Sequence, residues 1–211
     1  MAKYFPFYAN IENRPVLIVG CGEKAIRKAE KLLPFAPQLC IWADSFPDEI
    51  KGEASIRLFN ASETDFSDLL SSVAPIAVII TDRGDPRTPR LVEYCRSAGV
   101  PVNVEDSAKQ SDFIFPSIIN RGDLTVSVST SGTVPAVAVK LRREIESALP
   151  DCIDQIINWM KALRAQIRSR GELDSAESAL FFKLIADEAF EKERVLTDAE
   201  VDAFLCRVKM K

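Results

Sequence analysis

The stretch Pro15–Leu33, PVLIVGCGEKAIRKAEKLL, constrains the fold more than any other part of this chain. It opens on four apolar residues, Val16 to Val19, too few for a helix and enough for a buried strand. Gly20-Cys21-Gly22 then turns the chain into an amphipathic run with Ala25, Ala29, Leu32 and Leu33 on one face. The pattern is G-x-G-x-x-A. Gly20 permits a tight turn off the strand, Gly22 leaves room beside the backbone for a diphosphate, and the small Ala25 lets the helix approach the sheet. The helix N-terminus offers unpaired N–H groups and the positive end of its dipole to that diphosphate. Strand, glycine turn and helix together predict a dinucleotide-binding βα unit. An ordinary glycine-rich turn is the competing reading.

The next ninety residues repeat that alternation. Short apolar runs at 39–42, 56–59, 76–80 and 101–104 read as strands, with helical patterns around Phe66, Leu69 and Leu70 and around Leu91, Cys95 and Ala98. Alternating strands and helices over 15–104 predict a doubly wound parallel sheet, whose ligands sit beyond the carboxyl ends of the strands. Gly20, Gly22, Asp44, Thr81, Asp82 and the segment Asn103–Asp106 all fall at such ends. Asp44 lies 22 residues beyond Gly22, about where an acid takes the ribose 2′-hydroxyl, which favours NAD over NADP. It reads equally as a loop-capping aspartate, and Asp106 as the N-cap of a short segment 107–111.

From residue 111 the pattern changes. Phe113–Ile119 and Leu124–Ser129 read as two strands, followed by a hydroxyl-rich loop, Ser129-Thr130-Ser131-Gly132-Thr133. Pro135 suits a first helical turn. The helix after it is expected to bury Val137, Leu141, Ile145 and Ala148. Beyond Pro150 only helical periodicity remains: Ile153, Ile156, Ile157, Met160, Leu163 and Ile167 form one stripe, a second helix spans 176–190, and Thr197 and Glu200 have capping-box spacing. These helices look too few for a large core of their own, so they are expected to pack on the middle segment or on a second subunit. Tyr4–Tyr8 reads as an edge strand or a strap.

With 47% hydrophobic and 27% charged residues the 211-residue chain has the composition of a packed globule. A net charge of −4 argues against a general nucleic-acid binder, no apolar run is long enough for a membrane span, and the N-terminus lacks a signal-peptide layout, so the cytoplasm is the expected location. The five cysteines are scattered without a CxxC and read as reduced thiols, Cys21 as a small filler rather than a nucleophile. There is no histidine, which removes imidazole acid–base chemistry and His-ligated metal sites. Proton transfer is left to Asp, Glu, Lys, Tyr or Cys.

Five stretches in fixed order resemble one family: Tyr4-Phe5-Pro6-Phe7; Val16–Lys28; Ile80-Thr81-Asp82; Val102–Asp106 with Phe113–Ile119, NVED…DFIFPSII; and Leu124–Pro150, LTVSVSTSGTVPAVAVKLRREIESALP. Together they resemble the precorrin-2 dehydrogenase/sirohydrochlorin ferrochelatase family, the siroheme synthase fold. The last two stretches are the specific ones. Three departures stand out: Cys21 and Ser131 replace glycines, and Arg83 stands where an acid is common.

The resemblance implies an α/β architecture: a Rossmann-type NAD-binding domain over 1–112, a small α+β dimerisation and substrate segment over 113–150, and a C-terminal helical domain over 151–211. It implies oxidation of the tetrapyrrole precorrin-2 to sirohydrochlorin with NAD, insertion of ferrous iron in some members, and a homodimer. NAD contacts carry over to Glu23, Lys24, Asp44 and Ser45, and Asp106 matches the aspartate assigned to both activities, with no permanent metal and Asp106 as a transient iron ligand. Thr130 falls where some relatives carry a phosphorylatable serine. The chemistry agrees with the residues. Removing a hydride and a proton needs a base, which without histidine falls to a rim carboxylate. Glu105 is expected to raise the pKa of Asp106 by like-charge repulsion. Asn103, Arg121, Lys140, Arg142 and the loop Ser129–Thr133 are candidates to bind the substrate carboxylates. Several readings stand side by side: a dehydrogenase that also inserts iron, a dehydrogenase alone, a non-catalytic NAD-binding sensor, which would need neither Asp106 nor the hydroxyl loop, and a metallochaperone or haem-binding protein, against which the absence of histidine and of paired cysteines weighs.

Overall fold

Val16–Val19 are all buried, as a strand covered on both faces requires. In a computed structural model, which describes residues 4–210, they form the centre of a parallel sheet. The strands are β1 (Pro15–Val19), β2 (Gln38–Ala43), β3 (Ile56–Asn60), β4 (Ala77–Ile80) and β5 (Val102–Val104), in the order β3-β2-β1-β4-β5. The order reverses at β1, so β1 and β4 open a crevice at their carboxyl ends. The helices between them are α1 (Glu23–Leu32), a short α2 (Asp48–Lys51), α3 (Phe66–Val73) and α4 (Thr88–Ser97). Alternate residues of each strand feed two cores. Leu17, Val19, Val78 and Ile80 pack with α3 and α4, while Val16, Ile18 and Ile79 pack with Ala25 and Ala29 of α1. Ala25 is fully enclosed, so the small third position of the motif does bring helix and sheet together. Tyr4–Tyr8 forms no strand, and Phe5, Phe7 and Tyr8 are exposed.

Residues 1–115 form one compact unit and 116–211 a second. Phe113 and Phe115 belong to the first, packed against its core, rather than to a strand. The strand expected from 113 is shorter. In the second unit β6 (Ser117–Arg121) and β7 (Leu124–Val128) pair as an antiparallel hairpin with Gly122 at φ 57° in the turn. α5 (Pro135–Ser147) follows, then α6 (Ile153–Arg170), α7 (Ser175–Glu191) and α8 (Asp198–Lys209). The middle and C-terminal segments therefore fall within one unit. α6–α8 do make a core of their own, around Ile156, Leu163, Phe181, Ile185 and Leu205, contrary to the expectation that they needed a partner for it. α5 departs from expectation in the opposite sense. It lies against the hairpin and buries Ala138, but Val137, Leu141 and Ile145 remain 45%, 43% and 37% exposed. Ala148 is exposed as well, so the period is helical as expected but the described residues do not cover its apolar face.

α8 opens on a complete capping box. The Thr197 hydroxyl accepts from the Glu200 N–H, and the Glu200 carboxylate accepts from the Thr197 N–H. Glu200 also pairs with Lys192 and Arg194, which hold its carboxyl well below the usual range. Thr197→Ala removes one of the two reciprocal bonds and is expected to destabilise the second unit by about 1 kcal/mol in urea unfolding. An unchanged midpoint would contradict that role.

Candidate functional site

The β1–α1 turn is built so that only glycine fits at its first position. Gly20 has φ +96°, and a Cβ there would lie 2.6 Å from the Thr81 hydroxyl oxygen. That hydroxyl donates to the Val19 carbonyl across the β1–β4 pair at 2.8 Å, so Thr81 is buried and props the turn from beneath. Gly22 differs: a Cβ would meet nothing within 4 Å. The space beside it is open to solvent. No side chain caps the N-terminus of α1, so its first N–H groups face that space.

An open cleft of ≈ 1100 Å³ lies over this turn. Its lining includes every residue expected to hold the cofactor: Gly20, Gly22, Glu23, Lys24, Asp44, Ser45, Thr81 and Asp82, together with Asp106. Cys21 is there too. Burial pushes its thiol pKa up, as suits a filler rather than a nucleophile. Asp82 is fastened locally, its carboxylate accepting from the Gly84 N–H at 2.8 Å.

Asp106 follows β5 in a turn closed by the Ser107 N–H on the Val104 carbonyl, and its φ of 57° is one that glycine or asparagine holds more easily. No helix starts there, so the N-cap reading does not apply. Its carboxylate accepts a hydrogen bond from Lys24 at 2.6 Å, and Arg83 donates to its backbone carbonyl at 3.0 Å. The Lys24 ammonium holds the Asp106 carboxyl below the ordinary aspartate range. The expected rise from Glu105 is therefore overturned. Glu105 is itself paired with Lys28 at 2.8 Å, which offsets its charge, and the Lys28 ammonium sits over the Phe115 ring at 4.0 Å.

Asn103 is not in the cleft lining. It is buried on β5, and its amide donates to the Phe113 carbonyl at 2.8 Å, so it ties down the segment leaving the sheet. The other expected substrate residues lie in the second unit. Arg121 is half-buried at the end of β6, with its Nε enclosed. The loop Ser129–Thr133 is largely exposed, and Ser131 and Gly132 have φ 55° and 77°, the left-handed region that glycine adopts most easily. The Thr130 hydroxyl accepts from the Val134 N–H at 3.2 Å, and Thr133 donates to the Thr130 carbonyl at 2.6 Å. Lys140 and Arg142 pair with Glu144 and Glu146 along α5.

Sequence reasoning passed over Arg87. It stands in the cleft with bonds to both Asp44 and Asp85, and it lies over the Trp42 ring at 5.2 Å. Its signal was a cation two residues beyond Asp85, in the loop that leaves the β4 end.

A sheet that reverses at β1, a glycine turn beneath an uncapped helix and an acid at the end of the next strand define a dinucleotide-binding domain. Residues 7–117 match the family described as "Putative NAD(P)-binding", NAD_binding_7, and the chain belongs to it. Residues 121–148 match the family described as "Sirohaem biosynthesis protein central". The chain is 32% identical to siroheme synthase 1 of Aeromonas salmonicida over 79% of its own length and 36% of that protein's. It is 34% identical to the siroheme synthase of Neisseria meningitidis serogroup C over 79% of its length and 35% of that protein's. The chain thus spans about a third of these curated relatives. A solved structure of SirC, precorrin-2 dehydrogenase, has a TM-score of 0.69 at 18% identity, covering 99% of this chain and 100% of that one, which is a likeness of fold. Among the described residues no helix is long and apolar enough to cross a membrane.

Proposed function

We propose that this chain is an NAD-dependent precorrin-2 dehydrogenase of siroheme biosynthesis. The observation that carries the reading is that Asp106, kept ionised by Lys24, lines the same cleft as the glycine turn. Bound NAD supplies the hydride acceptor. The residues that fit it are Gly22 and the first N–H groups of α1 for the diphosphate, and Asp44 with Ser45 for the ribose. Loss of two hydrogens from precorrin-2 divides into a hydride and a proton, and the Asp106 carboxylate accepts the proton. The exposed loop Ser129–Thr133 is proposed to donate to substrate carboxylates. Incubated with NAD and precorrin-2, the folded protein is expected to produce sirohydrochlorin, followed by its absorbance; no conversion contradicts the reading. Iron insertion is read separately, by adding ferrous iron to sirohydrochlorin with and without protein. Acceleration that Asp106→Asn abolishes assigns both steps to one carboxylate, whereas no acceleration leaves a dehydrogenase alone.

The proposed assembly is a homodimer. The exposed Val137, Leu141 and Ile145 on one face of α5 support it, as an apolar helix face of this kind marks an interface. Leu141→Asp is expected to shift sedimentation from dimer to monomer mass; an unchanged mass would place the interface elsewhere. The cytoplasm is the proposed location. The free state of all five cysteines, as a reducing compartment keeps them, supports it.

A further inference from the structure

Arg87 is the cation nearest the acid expected to read the ribose. Its guanidinium presents two forked edges, and each is engaged by a different carboxylate. The Nε and Nη2 edge is held by Asp85 at 3.0 and 2.7 Å, and Asp85 also accepts from the Arg87 backbone N–H at 2.7 Å. The Nη1 and Nη2 edge meets Asp44 at 3.0 and 2.7 Å. The two carboxylates differ in exposure: the Asp85 side chain is 19% exposed and the Asp44 side chain 65%. Asp85 with the Trp42 ring beneath is thus the fixed anchor of Arg87, and Asp44 is the outer member of the cluster.

We propose that Arg87 is a latent 2′-phosphate receptor and that Asp44 keeps the cleft NAD-selective by occupying the edge of Arg87 that such a phosphate would use. This rests on the reading that the cleft takes a dinucleotide. A carboxylate oxygen has more than one acceptor site, so Asp44 can hold Arg87 and still accept from the ribose hydroxyls of NAD. Toward a 2′-phosphate it presents a negative charge and a guanidinium edge already taken. The cluster carries two carboxylates against one guanidinium, so its local charge opposes an added anion. With Asp44 made neutral, Arg87 keeps its anchor on Asp85 and gains a free planar edge, the geometry that recognises phosphate in a bidentate manner.

The test is isothermal titration of the full chain with NAD and with NADP, for the unmodified protein, Asp44→Asn and Asp44→Asn/Arg87→Met. The unmodified protein is expected to bind NAD more tightly than NADP. Asp44→Asn is expected to weaken NAD and to tighten NADP by roughly tenfold to a hundredfold, the worth of a charge-assisted pair. The double variant is expected to lose that gain. Circular dichroism of each variant establishes that it is folded, and Asp44→Ser serves as a second neutral replacement. No NADP gain in either folded neutral variant overturns the proposal, as does a gain that survives loss of Arg87. In both cases NAD binding by the unmodified protein leaves the cofactor reading standing. If the unmodified protein binds neither nucleotide, the cofactor reading falls and this proposal with it.

Discussion

Replacing Asp106 by Asn is expected to slow oxidation of precorrin-2 by roughly a hundredfold to ten-thousandfold, the usual worth of a positioned base. The substitution preserves shape and removes the proposed acceptor of the proton. The side chain is well exposed, so thermal unfolding should be little changed, and a large loss of stability would mean that the residue acts through the fold. Asparagine is also at ease at φ 57°. The Lys24 pair makes a second outcome testable through pH. The base must be ionised, so the rate falls as pH falls through its pKa. Lys24 lowers that pKa, which places the acid limb below the ordinary aspartate range. Lys24→Met removes the donor and is expected to move the limb of kcat/KM for precorrin-2, at saturating NAD, to higher pH. A limb that stays in place would separate Lys24 from the ionisation of Asp106.

Gly20→Ala is expected to destabilise the first unit by roughly 2–5 kcal/mol, combining a strained positive φ with displacement of the buried Thr81 hydroxyl from its acceptor. The contact at fault is the 2.6 Å approach of the new Cβ to that hydroxyl oxygen. In a Thr81→Ala background the same substitution should cost less, leaving mainly the backbone strain. Gly22→Ala is the control. Its backbone φ is −82° and its Cβ meets nothing, so stability should hold while NAD binding weakens. Equal destabilisation by the two substitutions would contradict the division of labour in the turn, in which Gly20 serves the fold and Gly22 the ligand.

The sheet was legible because β1, β2 and β4 are short apolar runs closed by Gly20, Asp44 and Thr81-Asp82, and parallel strands joined by helices admit few orders. The rim of the cleft was legible because chain direction alone puts Gly20, Asp44, Thr81 and Asp106 at the carboxyl ends of neighbouring strands. What they do there was less so. Thr81 reads as a ligand contact, and its 2.8 Å bond to Val19 adds a role beneath the turn that the sequence does not show. Asn103 lies on a three-residue strand buried on both faces, where alternation carries no signal, and its partner is fixed by the path of the chain through Phe113. The partner of Asp106 is 82 residues away, so the direction of its pKa shift depended on a tertiary contact rather than on adjacent Glu105. The stripe of α5 shows the limit of periodicity: it identifies an apolar face without saying whether this chain or another covers it.

Hydride transfer itself gives the most direct measurement. Protein loaded with NAD is mixed with less than one equivalent of precorrin-2, and NADH and sirohydrochlorin are followed in the same reaction. The expected result is one NADH for each precorrin-2 consumed, with sirohydrochlorin appearing at the same rate, and almost none of either with Asp106→Asn. Sirohydrochlorin formed without NADH, or NADH formed as fast by Asp106→Asn, would contradict the assignment of this cleft as the site of dehydrogenation.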